Sequence, residues 1–398
     1  MLRNWFYTFA LLGIIFIPVQ FNLFPWQDAI TNNLFGSLIE VSANLFNLKM
    51  INPAVSSDSV SMYLLVFLLI ALSFILTFFS KKLFNSKNIF IVLQCIIYFY
   101  LSLHLLKYGF DKVFKYQFYL PEPNTLYTEV GNLSKDILYW TSMGTSYSYS
   151  VFVGSLEIIA ALLILFRKSR ILGLLLALGI MINVLAINFG FDISVKLFSM
   201  FLIFLILVLL SPQFKRLYAF FVQNKSTEPI IEISFSDLFK NASVGPTIKT
   251  FIISLCFVES LIPYVSAQSF NDDSAARPYL HGAYEVKDAF DLGDTSLVKS
   301  SLAIKRIFIH RQGYIIFENY KNEMTDYKLE IDTTSHLFHL CDYFGNRTTI
   351  PFSYNPTKKI LEIDYTKKGE HHLLKCKVLN WKKLVVLKDD FHWVIDGY

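Results

Sequence analysis

Glu157 is an isolated carboxylate in the apolar run Tyr149–Phe166. It lies about eight residues inside that run, so at about 1.5 Å per residue it sits roughly 12 Å below the outer end of a membrane-spanning helix. An ionised carboxylate at such a depth costs at least a few kcal/mol unless it is protonated, paired or hydrated. Asn183, in the run Ile171–Phe189, falls roughly 10 Å down by the same arithmetic. The short basic turn Arg167–Arg170 makes the two runs antiparallel neighbours. Cations at the same outer level are Lys112 and Lys196, with Asp111 and Asp192 beside them. Their long stems let the ammonium groups bend inward. A third polar piece, Tyr108 to Phe118, threads rings between Asp111, Lys112 and Lys115, a mixture suited to a membrane–water boundary. We read the three pieces as one site, with Tyr108, Lys112, Gln117, Glu157, Asn183, Asn188, Asp192 and Lys196 as candidate ligand contacts. Two chemistries are open at this point. One is an outward-facing polar cleft holding a ligand head group or handling protons. The other is an ion pair that fixes helix packing.

Other reactive side chains are sparse. Glu259 is alone in its apolar run, near Pro263, and His104 stands one turn before Tyr108. No second His occurs in the apolar runs, so one chain cannot supply bis-His haem ligation in the membrane. His336 and His339 are three apart, whereas strand residues sharing a face are two apart, and no metal site is expected. The four cysteines form no Cys-x-x-Cys pair, which argues against a zinc ribbon or thioredoxin-type centre. Cys341 and Cys376 fall in two expected strands; an oxidising compartment permits a disulfide there if the strands are adjacent.

The elements that must carry these residues follow from composition. Of 398 residues 54% are hydrophobic and 17% charged, beyond a soluble globular chain. The net charge of +5 comes without any basic stripe or nucleic-acid motif, so no nucleic-acid partner is expected. Apolar runs at Trp5–Phe24, Met62–Phe79, Asn88–Leu106, Tyr149–Phe166, Ile171–Phe189, Leu197–Leu210 and Thr247–Ser266 predict about seven transmembrane helices. The first lacks a small-x-small cleavage site, so it reads as a helix, with a kink at Pro18, and not as a signal peptide. Trp26–Phe46 places Ile30, Leu34, Leu38 and Ile39 at helical spacing, which suits a helix lying in the interface or a packed extramembrane helix. Lys and Arg gather at Arg3, Lys81–Lys87, Arg167–Arg170 and Lys215–Lys249. That bias makes those segments cytoplasmic and puts everything after Ala267 outside, in the periplasm of a bacterial inner membrane.

From Gln268 the pattern changes to short β-branched and aromatic runs separated by turn residues, from Ala303–His310 to Leu384–Leu387. About eight strands at even spacing predict a small antiparallel barrel or sandwich. The expected organisation is therefore 1–87, a transmembrane pair with an interfacial helix; 88–221, a four-helix membrane core; 222–267, a linker and seventh helix; and 268–398, a periplasmic β-domain. The fold class is an α-helical membrane bundle followed by a small all-β domain.

Several strings carry a family resemblance. They are Tyr108-Gly109-x-x-Lys112, Gly154-x-x-Glu157, Gln117-Phe118, Trp140-Thr-x-Met-Gly144, Asn183-Val-x-x-x-Asn188, Phe191 to Ser199, and the closing Phe391-His-Trp393. With them the chain resembles the DoxX-like membrane proteins, in a large-chain subgroup of Bacteroidetes type with a C-terminal β-domain. The resemblance covers nearly the whole chain and implies a four-helix membrane module. Some relatives are subunits of quinone-reducing thiosulfate oxidation; others have no assigned activity. A quinone reading would carry over Lys112, Glu157 and Asn183 as head-group contacts, with no cofactor motif or redox cysteine pair beside them. The expected function is binding of a lipid-like or quinone-like ligand in the polar cleft, and of a membrane or periplasmic protein partner through the β-domain. A quinone-linked oxidoreductase subunit and a small-solute or proton-coupled transporter are the alternatives.

Overall fold

A computed structural model describes residues 1–50, 54–79, 86–227, 239, 243–291, 294–297, 304–367, 370–388 and 392–394. The chain divides into two compact units, Met1–Gln117 with Ser148–Asn271, and Phe118–Tyr147 with Asp272–Tyr398. The helices, in chain order, are α1 Leu2–Phe16, α2 Gln27–Leu45, α3 Val60–Phe79, α4 Lys87–Val113, α5 Pro123–Tyr127, α6 Lys135–Thr145, α7 Tyr147–Leu165, α8 Arg170–Gly190, α9 Lys196–Leu210, α10 Phe214–Phe221 and α11 Val244–Ser266. Among the described residues, 6 helices are long and apolar enough to cross a membrane, and α1 is a shorter apolar helix. The chain is thus a membrane protein with a helical bundle and a β-domain. The lysines at 81 and 82 and most of the 226–245 linker lie outside the described residues.

The first helix differs from its expected extent. It does not run to Phe24 with a kink; it stops at Phe16, with Ile17 extended, because the residue before a proline is driven from helical geometry. Its free carbonyls are taken up from α2. Gln27 Nε2 donates to Ile14 O, Ile15 O and Ile17 O at 3.2, 2.9 and 3.0 Å, and Thr31 Oγ1 to Phe16 O at 2.9 Å. A helix end left with bare carbonyls in apolar surroundings would be costly, so this side-chain cap makes the break tolerable. The apolar residues of α2 divide between two faces: Ile39 is buried with Phe35 and Ala43, while Ile30, Leu34 and Leu38 are exposed.

The second unit is a closed barrel. Its strands are β1 Gly282–Asp291, β2 Asp294–Leu297, β3 Ile304–His310, β4 Tyr314–Asn319, β5 Met324–Asp332, β6 Leu337–Cys341, β7 Arg347–Asn355, β8 Ile360–Lys367 and β9 Glu370–Leu379. Each of β3 to β9 pairs antiparallel with its chain neighbour, β1 pairs with β3, and β1–β9 pairing closes the ring, with short β2 pairing antiparallel with the end of β1. Closure leaves no open edge. Of the expected strands, Leu384–Leu387 is instead a 3₁₀ turn over Val385–Leu387, and β1 and short β2 are additional strands. Cys341 and Cys376 are free thiols. They lie on β6 and β9, with β7 and β8 between, so the expected condition for a disulfide, adjacent strands, is not met.

Alternate residues fill the barrel. Tyr284, Ile307, Ile309, Ile315, Phe338 and Leu361 belong to one buried cluster. Their neighbours Ala283, Phe308 and Ile316 belong to another, with Trp381, on the outer face. Leu120, Leu126 and Tyr127 pack against this second cluster. Residues 118–147, counted from sequence with the helical core, therefore belong to the barrel unit, and their part from Leu120 to Tyr127 covers the outer cluster at β1, β3 and β4. Burial on both faces is why Ile307-Phe308-Ile309 reads as a continuous apolar run and not as an alternation.

Candidate functional site

Two helices set the local geometry of the helical unit. On α4, His104, Lys107, Tyr108 and Asp111 recur at three- and four-residue spacing, which puts them along one face. Lys112 is rotated about 100° from Asp111 and turns toward α7. There α4 and α7 touch backbone to backbone. A Cβ on Gly109 would lie 2.9 Å from Gly154 O, and one on Gly154 would lie 2.5 Å from Gly109 O and 2.9 Å from Lys112 Cβ. Only glycine permits this approach. It places Lys112 Nζ 2.9 Å from Glu157 Oε2, with side chains 7% and 3% exposed. Lys112 Nζ also donates to Tyr108 O at 3.4 Å. Glu157 thus finds its cation, as a buried carboxylate must.

The rest of the expected constellation is not with it. Asn183 is exposed on α8. The buried face of that helix carries Gly173, Leu174, Ala177, Met181 and Asn188, and a residue two beyond Met181 points roughly 200° round. Asn188 donates from Nδ2 to Ser199 Oγ at 2.7 Å, tying α8 to α9. Lys196 Nζ pairs with Asp192 Oδ1 at 2.8 Å and lies 3.8 Å from Asp58 Oδ2. The Asp58 carboxylate also accepts from Lys196 N at 2.9 Å and Leu197 N at 3.0 Å, an N-terminal cap of α9 supplied from a distant loop. Asp192 makes the turn before α9 with φ 54°. Asn188, Asp192 and Lys196 therefore form a separate α8–α9 turn cluster. Gln117 closes the far end of α4, its N–H donating to Asp111 O at 3.0 Å.

Of these eight candidates Tyr108 lines a cavity of the helical unit, a space of about 410 Å³. Its polar lining includes Gln20, Asn22, His104, Lys107, Asp111, Ser260 and Tyr264, and its apolar lining includes Pro18, Val195, Phe198 and Pro263. Asp111 Oδ1 accepts from Tyr264 Oη at 2.6 Å. Lys107 Nζ is 3.2 Å from Glu259 Oε1. Glu259 is fully occupied as well: Oε1 accepts from Asn22 N at 2.7 Å and Oε2 from Leu23 N at 2.8 Å. It anchors the extended segment after α1 to α11, a structural role. His104 differs from all of these. It is 1% exposed, and its Nε2 is buried with no hydrogen-bond partner among the described residues. Rings flank it, Tyr100 at 4.3 Å, Phe198 at 5.1 Å and Phe21 at 5.9 Å between centroids.

The cavity draws on α4, α11 and the segment after Pro18. Sequence reasoning passed over His104 because a lone histidine in an apolar helix is usually a packing residue. Its placement in register with Lys107, Tyr108 and Asp111 was the available signal. The break at Pro18 was unexpected, and it is the break that brings Gln20 and Asn22 to the cavity.

The second unit holds its own charged cluster. Glu122 Oε2 is 2.9 Å from His281 Nε2 and accepts from Arg311 N at 3.2 Å, with His310 Nε2 at 3.9 Å. Asp272 receives Arg311 Nη1 and Arg277 Nη2, at 2.5 and 2.9 Å to Oδ2. Burial works to raise the Glu122 pKa, but the His281 hydrogen bond, the His310 and His281 charges and the Arg311 N–H outweigh it and hold it below its ordinary value. Burial lowers the His310 pKa, against the attraction of Glu122. With both its acids satisfied, this cluster pins Glu122, ahead of α5, to β3.

No family model matches the chain, and no solved structure matches it. Over 71 residues it is 39% identical to the uncharacterized protein YwoB of Bacillus subtilis (strain 168), a stretch covering 18% of this chain and 46% of that protein. The chain thus spans less than half the length of that relative.

Proposed function

We propose that this chain is a DoxX-like protein of a bacterial inner membrane, with a cytoplasmic N-terminus and a periplasmic barrel. Its helical unit binds a small amphiphilic ligand with a flat, hydrogen-bonding head group, of which a quinone is the leading example. The carrying observation is the unpartnered Nε2 of buried His104 on a cavity of about 410 Å³. That volume is within the range of small-molecule sites, about 300–1,000 Å³. A buried polar nitrogen left without a partner costs about 1–3 kcal/mol, and a ligand carbonyl or hydroxyl at this position would remove that cost. Tyr108 and Phe198 supply apolar faces for a ring, and Lys107 and Tyr108 add polar groups nearby. The barrel is the partner-binding element in this reading, supported by Tyr343 and Phe344, which are 78% and 91% exposed.

The test is mass spectrometry of the organic extract from gently solubilised protein. Wild type should carry a prenylated quinone or a related amphiphile. His104→Phe keeps an aromatic ring and removes the nitrogen, and should lower the retained ligand by roughly tenfold, the equivalent of one hydrogen bond. Equal retention by the variant, or no amphiphile in the wild type, would remove the proposal.

A further inference from the structure

Asp111 holds an acceptor that the fold leaves open on the His104 cavity. Its Oδ1 receives the Tyr264 hydroxyl at 2.6 Å, the separation of a hydroxyl donating to an ionised carboxylate. Tyr264 is 1% exposed, so this bond fixes the carboxyl group in place. Oδ2 makes no hydrogen bond among the described residues, and protein does not seal it off. Lys107, one turn earlier, is turned instead to Gln20 O and Glu259 Oε1. Tyr108, three residues earlier on the same face of α4, likewise has a hydroxyl with no hydrogen-bond partner among the described residues. Both Tyr108 and Asp111 line the cavity.

We propose that Asp111 selects a ligand whose head group carries a hydroxyl donor, a phenol or hydroquinone, over the fully oxidised quinone. This rests on the reading of the cavity as a ligand site. A carboxylate oxygen only accepts. A ligand hydroxyl meets both open groups: it donates to Asp111 Oδ2 and accepts from Tyr108 Oη. A quinone carbonyl has only lone pairs. Set against Asp111, it displaces water from the carboxylate oxygen without replacing the hydrogen bond, and affinity falls. Sites that hydrogen-bond a ligand hydroxyl reject the analogue lacking it for the same reason. The spacing suits one ring. His104 and Asp111 are separated by roughly 10.5 Å along α4. A six-membered ring with oxygens at opposite corners and a hydrogen bond at each end spans roughly 11 Å. His104 Nε2 then meets the second oxygen. Phe198, 5.1 Å from the His104 ring and 6.5 Å from the Tyr108 ring, covers the span between them.

The test uses the full chain in a neutral detergent under anaerobic conditions. Three probes built on one ring system are compared: a dimethyl naphthohydroquinone, its quinone and its bis-methyl ether. The quinone and the ether keep the oxygens and lose the donors. The dissociation constant of the hydroquinone should be lower than that of either by roughly tenfold or more, the worth of a hydrogen bond to a charged group. This comparison is made on the wild type and needs no variant to fold. Asp111→Asn, whose amide also donates, should bring the hydroquinone and the quinone within about threefold of each other. His104→Phe should weaken all three probes and leave the preference for the hydroquinone in place. Equal binding of the three by the wild type would leave the ligand site standing and overturn the role of Asp111. So would tighter binding of the quinone, or a preference that survives Asp111→Asn. Binding of none of the three would overturn both the ligand site and this inference.

Discussion

Replacing Glu157 by Gln separates a packing ion pair from a ligand contact. Lys112 and Glu157 are 2.9 Å apart and both buried, at the contact where Gly109 and Gly154 bring α4 against α7. Neither lines the 410 Å³ cavity. The amide keeps the volume of the carboxylate but leaves the Lys112 ammonium without its counter-charge. Removing one partner of a buried pair costs about 3–5 kcal/mol, a factor of roughly 10² to 10³ or more in the folded fraction. Replacing both partners by apolar residues of similar size is close to neutral. Glu157→Gln should therefore lower the yield of monodisperse protein and its resistance to sodium dodecyl sulfate. Lys112→Met combined with Glu157→Leu should recover most of both. Ligand retained per folded molecule should stay at the wild-type level throughout, measured by mass spectrometry on the monodisperse fraction. If Glu157→Gln instead folds like wild type and loses the ligand, the pair belongs to the ligand site and our separation of it from the His104 cavity is wrong.

Acid should loosen the second unit in two stages. His310 is held below its ordinary value of 6.5 by burial, so its share of stability is complete above that value and declines as pH falls below it. The depressed carboxyl of Glu122, ordinarily 4.5, adds stability above that value, lost as pH falls through its lower folded value. Glu122→Gln should flatten the lower stage in a pH series of thermal melts. Residues 276–398 expressed alone should give a β-type circular-dichroism spectrum but bind a hydrophobic dye at Phe308, Ile316 and Trp381; a peptide of residues 118–147 should displace the dye, and no displacement would detach that segment from the barrel core. In a cysteine-free background, a cysteine at Ser169 should label from the cytoplasm and one at Asn346 from the outside. Labelling of both from one face would mean that one of the long apolar helices between them, α8, α9 or α11, does not cross.

The sequence alone determined the type of most elements. Long uncharged runs must be helices in lipid, because every backbone group there needs an internal partner, and short alternating runs between turn residues must pair as strands. It also determined that Glu157 needs a cation. Only tertiary structure decided which charges meet. Counting residues along a helix yields depth, and Glu157, Asn183, Lys112 and Lys196 share a depth; contact also requires azimuth and a neighbouring helix. The glycine crossing at Gly109 and Gly154 selected Lys112 for Glu157, and the Asp58 cap took Lys196. The azimuth of Asn183 was partly legible, since Gly173, Ala177 and Met181 mark the packed face and Asn183 falls opposite. The cavity was not legible. It depends on a helix that ends at Phe16, on carbonyls capped by Gln27 across a loop, and on Glu259 holding the strand-like segment that follows. These long-range hydrogen bonds leave no periodicity in the chain, because a hydrogen bond between distant segments is specified by where the backbone passes and not by sequence spacing.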